Sequence, residues 1–82
     1  MHIVTMITLD KIEVGEMVLI NNILESNKKV KRHLLEMGLT KGTKIIVKKR
    51  NFSGKLLTIY LRDYNLTLSK NDLKKIKVEK IN

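Results

Sequence analysis

"LLEMGLTKGTKIIVKKR", residues 34–50, passes from helix-like spacing of apolar residues into strand-like alternation, with glycines at 38 and 42. Gly38 stands where a helix ends in a left-handed residue, a conformation glycine reaches without a Cβ penalty. Leu39, one position on, is placed to fold back onto Leu34, the hydrophobic contact of a Schellman ending. Thr40-Lys41-Gly42-Thr43 then suits a type II turn, with Gly42 at the position that needs positive φ. Gly38 and Gly42 therefore serve turn geometry. They reverse the chain twice and deliver it into a strand.

Working back from this junction, Ser26 and Asn27 both offer side-chain acceptors for free helix N–H groups, so SNKKVKRHLLEMG is predicted as a helix. Val30, Leu34 and Met37 follow the spacing of a buried stripe, with Leu35 at its edge and Arg32, His33 and Glu36 opposite. Lys28 and Lys29 in the first turn and Glu36 near the last oppose the helix macrodipole, so packing must hold this helix. Gly15 marks a turn into a strand at 17–24, and TLDKIEVGE (8–16) reads as a short turn or helical entry. Residues 1–7 are expected to be a flexible extension, with Met6 an alternative start, and 8–82 a single domain.

Working forward, Ile45 and Val47 point one way while Lys44, Lys48 and Arg50 point the other. KLLTIYL and YNLTLS, joined near Arg62-Asp63, read as a hairpin with Leu57, Ile59, Leu61, Tyr64, Leu66 and Leu68 inward. Ser69 to Asp72 carries a one-turn capping signature. KIKVEK (75–80) closes the domain with Ile76 and Val78 inward. About five short strands, with one short helix after the first, predict a mainly β, small barrel-like domain.

Eighty-two residues bury only a small core, roughly 60% of the unfolded surface for a chain of this size. No cysteine is present, so neither disulfides nor thiolate metal sites are available, in keeping with a reducing cytosol. The longest apolar runs fall far short of the ~20 residues that span a membrane. The opening residues lack a basic n-region and a small-residue cleavage site, so no signal peptide is read. The net charge of +9 is uneven: residues 1–27 sum to −3 and residues 28–82 to +12. That asymmetry points to an acidic partner, nucleic acid or an anionic surface, or to lysines that solvate strand faces and protect sheet edges.

No nucleophile–base constellation is found. The only histidines are His2 and His33, and no phosphate-binding glycine motif occurs. His33 and Glu36 lie three apart on the predicted helix, but two donors fall short of a stable metal site. No catalytic or metal residues are assigned, and the chain is not expected to be an enzyme. Phe52, in RNFSGK (50–55), is a loop-tip residue able to stack on a base. With basic residues at 41–50 it would support weak, sequence-indifferent nucleic-acid binding.

VKRHLLEMGLTKGTKIIV, the Gly-centred loop NFSGK and LLTIYLRDYNLTLSKNDLKKIKVE together resemble the FeoA family over roughly residues 8–80. The Leu34/Leu35–Met37-Gly38-Leu39–Gly42 spacing is the most specific part. Three positions depart from the family pattern: Lys41 replaces a proline, Lys55 and Leu56 replace a loop Asp-Pro, and Leu68-Ser69-Lys70 replaces a terminal Leu-Arg-Lys. The resemblance implies a cytoplasmic SH3-like barrel that serves bacterial ferrous-iron uptake with the cytoplasmic part of the membrane transporter FeoB. It allows transient association with ferrous iron and no other cofactor; from the residues themselves, no stable nucleic-acid binding and no membrane insertion are expected. Alternatives are a basic small barrel that binds RNA or DNA nonspecifically, and a metal-sensing SH3-like domain. Lys31, Arg32, Leu35 and Leu39 form the candidate partner surface, because apolar anchors with basic neighbours suit protein docking. Leu35 and Leu39 could equally seal the barrel end.

Overall fold

The computed structural model describes residues 4–81. Its strands are β1 (Val4–Thr8), β2 (Met17–Ile23), β3 (Lys44–Arg50), β4 (Leu56–Leu61), β5 (Tyr64–Ser69) and β6 (Ile76–Ile81). Helix α1 (Lys28–Glu36) separates β2 from β3, and the one-turn α2 (Lys70–Leu73) separates β5 from β6. A 3-10 turn at Leu9–Lys11 follows β1. All strands join one antiparallel sheet in the order β1-β6-β2-β3-β4-β5.

The five strands expected from residues 17–80 are present, and a sixth is added. Val4–Thr8 pairs with β6 from Val4↔Ile81 to Thr8↔Lys77. The expected flexible extension is thus corrected for residues 4–7, while residues 1–3, His2 among them, lie outside the described residues. The cause is non-local: β6 has a free edge beyond β2, and an extended five-residue segment satisfies its backbone groups.

The sheet must curl. Four strand spacings separate β6 from β5, about 19 Å if the sheet were flat. The connection from Ser69 to Ile76 contains the helical turn α2 and reaches only roughly 16 Å. Curling brings the inner faces around one core of Val18, Ile20, Ile45, Val47, Leu57, Ile59, Leu61, Ile76 and Val78, with Leu9, Ile12, Leu34, Leu39 and Leu73 closing its ends.

Local chemistry fixes the joints. Asn27 Oδ1 accepts from the Lys29 and Val30 N–H groups and caps α1. Ser69 Oγ accepts from the Asp72 N–H and starts α2. Bulges fall at Asn21 and Lys48, where the registers shift. Asn21 uses its freed side chain to donate to Glu79 Oε1 at 3.0 Å. Lys48 places Nζ 5.5 Å from the centre of the Tyr60 ring. Arg50 turns back and donates to the Ile12 carbonyl at 2.8 Å, which pins the 3-10 entry to the barrel.

Arg50 departs from the expected phase: beyond the bulge at Lys48 it pairs with buried Leu57 and so lies on the inner face, where Lys49 takes the outer one. Two further side chains depart from the expected burial. Val30 lies at the exposed rim of α1, so the buried stripe reduces to Leu34 with Met37 packed beside it. Tyr64 is 39% exposed although it shares a phase with Leu66 and Leu68. It is the first residue after the β4–β5 turn, opposite buried Leu61 at the end of the strand pair.

Candidate docking site around Arg62

Helix α1 ends as its sequence requires. Leu39 N–H donates to the Leu34 carbonyl at 3.2 Å and Gly38 N–H to the Leu35 carbonyl at 3.0 Å, the paired bonds of a Schellman ending, with Gly38 at φ +98°. The next reversal follows at once: Thr43 N–H donates to the Thr40 carbonyl, and Gly42 has φ +87°. This double turn lays Thr40 and Thr43 beside the β4–β5 turn.

That second turn is built from two non-glycine residues, Arg62 at φ +44° and Asp63 at φ +69°. Two-residue hairpin turns with positive φ favour Asn-Gly, and each left-handed non-glycine residue costs about 1–2 kcal/mol. Both side chains find partners that offset this cost. Arg62 Nη2 donates to Thr40 Oγ1 and Thr43 Oγ1, each at 3.0 Å, and these hydroxyls lie 2.9 Å apart. Asp63 Oδ1 accepts from the Tyr60 hydroxyl at 3.2 Å, which raises the tyrosine's proton affinity. Among the described residues Arg62 forms no ion pair, so its charge is held by neutral hydroxyls.

Arg62 forms the wall between two open grooves. One, of about 390 Å³, is lined by Lys41, Gly42, Thr43, Lys44 and Arg62: three cations and no carboxylate. The other, of about 330 Å³, is lined by Leu35, Met37, Gly38 and Tyr64 together with Glu36, Thr40 and Arg62. The arrangement offers an apolar foothold beside a cationic one. Such a surface suits a peptide or domain face that presents an apolar side chain next to a carboxylate.

The expected partner surface is found in part. Leu35 is 38% exposed and lines the apolar groove. Lys31 is half-buried and Arg32 exposed on α1, and neither lines a groove with Leu35. Leu39 is corrected: it has no exposed surface, because the Schellman bond turns it onto Leu34 and into the core. Arg62 and Tyr64 were not among the expected site residues, and Lys41 and Lys44 were expected only within the basic run at 41–50 that could contact phosphates. The sequence signal for Arg62 is the non-glycine Arg62-Asp63 turn, which demands side-chain partners. His33 and Glu36 are both exposed, and among the described residues no three His, Cys, Asp or Glu side chains gather where they could hold a metal ion. No described helix is long and apolar enough to cross a membrane.

The model of the FeoA domain matches residues 7–80. The chain belongs to the FeoA family. It is 32% identical to a FeoA-like protein from Clostridium acetobutylicum, with a TM-score of 0.80, 89% of this chain covered and 84% of that one. Stenotrophomonas maltophilia FeoA, solved with zinc and described as a prokaryotic SH3 domain protein and a candidate activating factor of ferrous iron transport, shares 20% identity. Its TM-score is 0.76, with 88% of each chain covered. A manganese-dependent transcriptional repressor shares the fold at 14% identity and a TM-score of 0.80, covering 89% of this FeoA chain but only 40% of the repressor. No curated protein sequence matches. The FeoA domain is thus an SH3-like barrel of six antiparallel strands.

Proposed function

We propose that this FeoA chain is a non-enzymatic accessory of bacterial ferrous-iron uptake that docks on the cytoplasmic part of a FeoB-type transporter. Family membership supports the link to iron transport. The observation that carries the docking surface is Arg62, fixed by Thr40 and Thr43 between the Leu35–Tyr64 groove and the Lys41–Lys44 groove. A cation bound only to neutral hydroxyls keeps its charge for an incoming carboxylate, and the leucine and tyrosine beside it supply apolar contact. In this reading ferrous iron is the transporter's cargo and is not retained by the FeoA chain, which works at the cytoplasmic membrane face. Affinity capture of the transporter's cytoplasmic part by the purified chain, with ferrous-iron uptake in cells that lack the chain, tests the reading. Capture together with reduced uptake is expected. Normal uptake without the chain, or no capture, would contradict it.

A further inference from the structure

Phe52 is the chain's only phenylalanine and is 109% exposed, so it packs against nothing. It stands in the loop between β3 and β4, yet that loop is well tied. Asn51 N–H donates to the Leu56 carbonyl at 3.1 Å and Leu56 N–H to Asn51 Oδ1 at 2.9 Å. Gly54 N–H donates to the Asn51 carbonyl at 3.0 Å, and Asn51 Nδ2 to Ser53 Oγ at 3.1 Å. The loop therefore presents the ring outward as a fixed projection. Leu56, 42% exposed, lies behind it in a groove shared with Lys55, Ser69, Lys70 and Asn71. Lys70 N–H donates to the Lys55 carbonyl, which sets these two exposed lysines side by side. Lys49, also exposed, pairs with Thr58, two residues from Leu56 on the same outer face. Asp72, close by on the one-turn helix, accepts from the Ser69 hydroxyl.

We propose that this hairpin tip adsorbs to an anionic lipid bilayer, with Phe52 in the boundary between headgroups and acyl chains and Lys49, Lys55 and Lys70 against lipid phosphates. An exposed apolar ring flanked by lysines is suited to that boundary. Neither element suffices alone, since stable surface binding takes an apolar anchor together with a polybasic patch. Single-stranded nucleic acid fits less well, because it requires a track of stacking rings. Lys48 lies over Tyr60, and Tyr64 sits at the far end of the hairpin, about 17 Å along β5. Adsorption by this tip leaves the Arg62 turn, at the opposite end of β4, pointing away from the lipid and open to a protein.

The chain contains no tryptophan, so Phe52→Trp creates a single fluorescent reporter at an exposed position. With circular dichroism confirming the fold, its emission is expected to shift to the blue on adding phosphatidylglycerol–phosphatidylcholine vesicles, but not phosphatidylcholine alone. In vesicle co-sedimentation, Phe52→Ser is expected to weaken binding at least about tenfold. Glutamine at Lys49, Lys55 or Lys70 should weaken it about fivefold each. Absence of the shift with anionic vesicles, or binding indifferent to these four residues, would overturn the proposal. So would a single-stranded oligonucleotide that quenches the reporter under salt conditions where vesicles leave it unchanged.

Discussion

The side chain of Arg62 lies across Gly38 so closely that a Cβ built on the glycine would stand 3.1 Å from Arg62 Cδ and 3.4 Å from Leu61 Cδ1. The end of α1 and the turn of the β4–β5 hairpin are thus fitted to one another through a residue with no side chain. A Cβ at Gly42 would meet nothing within 4 Å. Both glycines have positive φ, so alanine is strained at either, but only at Gly38 must it also displace the arginine. Gly42→Ala is expected to cost about 1 kcal/mol and Gly38→Ala about 2 kcal/mol, read from urea denaturation. Equal losses would show that the close fit carries no energy.

Leu35 and Leu39, alike in the sequence reading, part company in the structure. Leu39→Ala removes a fully buried side chain and should cost about 2–5 kcal/mol. Leu35→Ser alters a rim residue and should change stability by about 0.5 kcal/mol or less. Denaturation midpoints of the two variants check this directly, and similar values would contradict the burial of Leu39.

Acid should loosen the joint between α1 and β6. Glu25 accepts from the Asn27 N–H and pairs with Lys75 Nζ at 2.7 Å, its side chain only 8% exposed. The backbone bond first, and Lys75 second, hold its carboxyl below the ordinary glutamate range. Glu16 is lowered in the same direction by Lys80 and by the Glu13 N–H. Because the folded values are depressed, the unfolded chain takes up these protons first as pH falls. The stabilisation is therefore complete above the ordinary glutamate value and disappears as pH drops through the folded values. Glu25→Gln should flatten this part of the stability–pH profile, measured by thermal melting at stepped pH. A profile unchanged by the substitution would count against the pair.

Much of this was legible in sequence because it rests on local chemistry. The Gly38 ending, the Gly42 turn, the Asn27 and Ser69 caps and the alternation of β4, and of β3 as far as its bulge at Lys48, depend on residues a few positions apart. What escaped depends on distant ones. Strand β1 exists through pairing with β6, 69 to 77 positions along the chain, and VTMIT alone carries no turn or cap to announce it. The phase of Tyr64 was right, since it faces buried Leu61, but alternation does not reveal how far a residue at the end of a strand is covered. Arg62 became prominent only when the fold brought Thr40 and Thr43 to it. In the sequence it was one of seventeen lysines and arginines.

The central claim is that Arg62 serves a partner rather than the fold. Arg62→Gly tests it most directly, since glycine relieves the left-handed strain while losing the bonds to Thr40 and Thr43. These effects oppose each other at an exposed position, so stability should change by less than about 1 kcal/mol. Association with the transporter's cytoplasmic part should nevertheless fall about tenfold or more, as for a truncated interface anchor. The decisive measurement is the Kd of that association for the parent and for Arg62→Gly, each confirmed as folded. Lost affinity in a stable variant is the predicted result, and undiminished affinity would contradict the account.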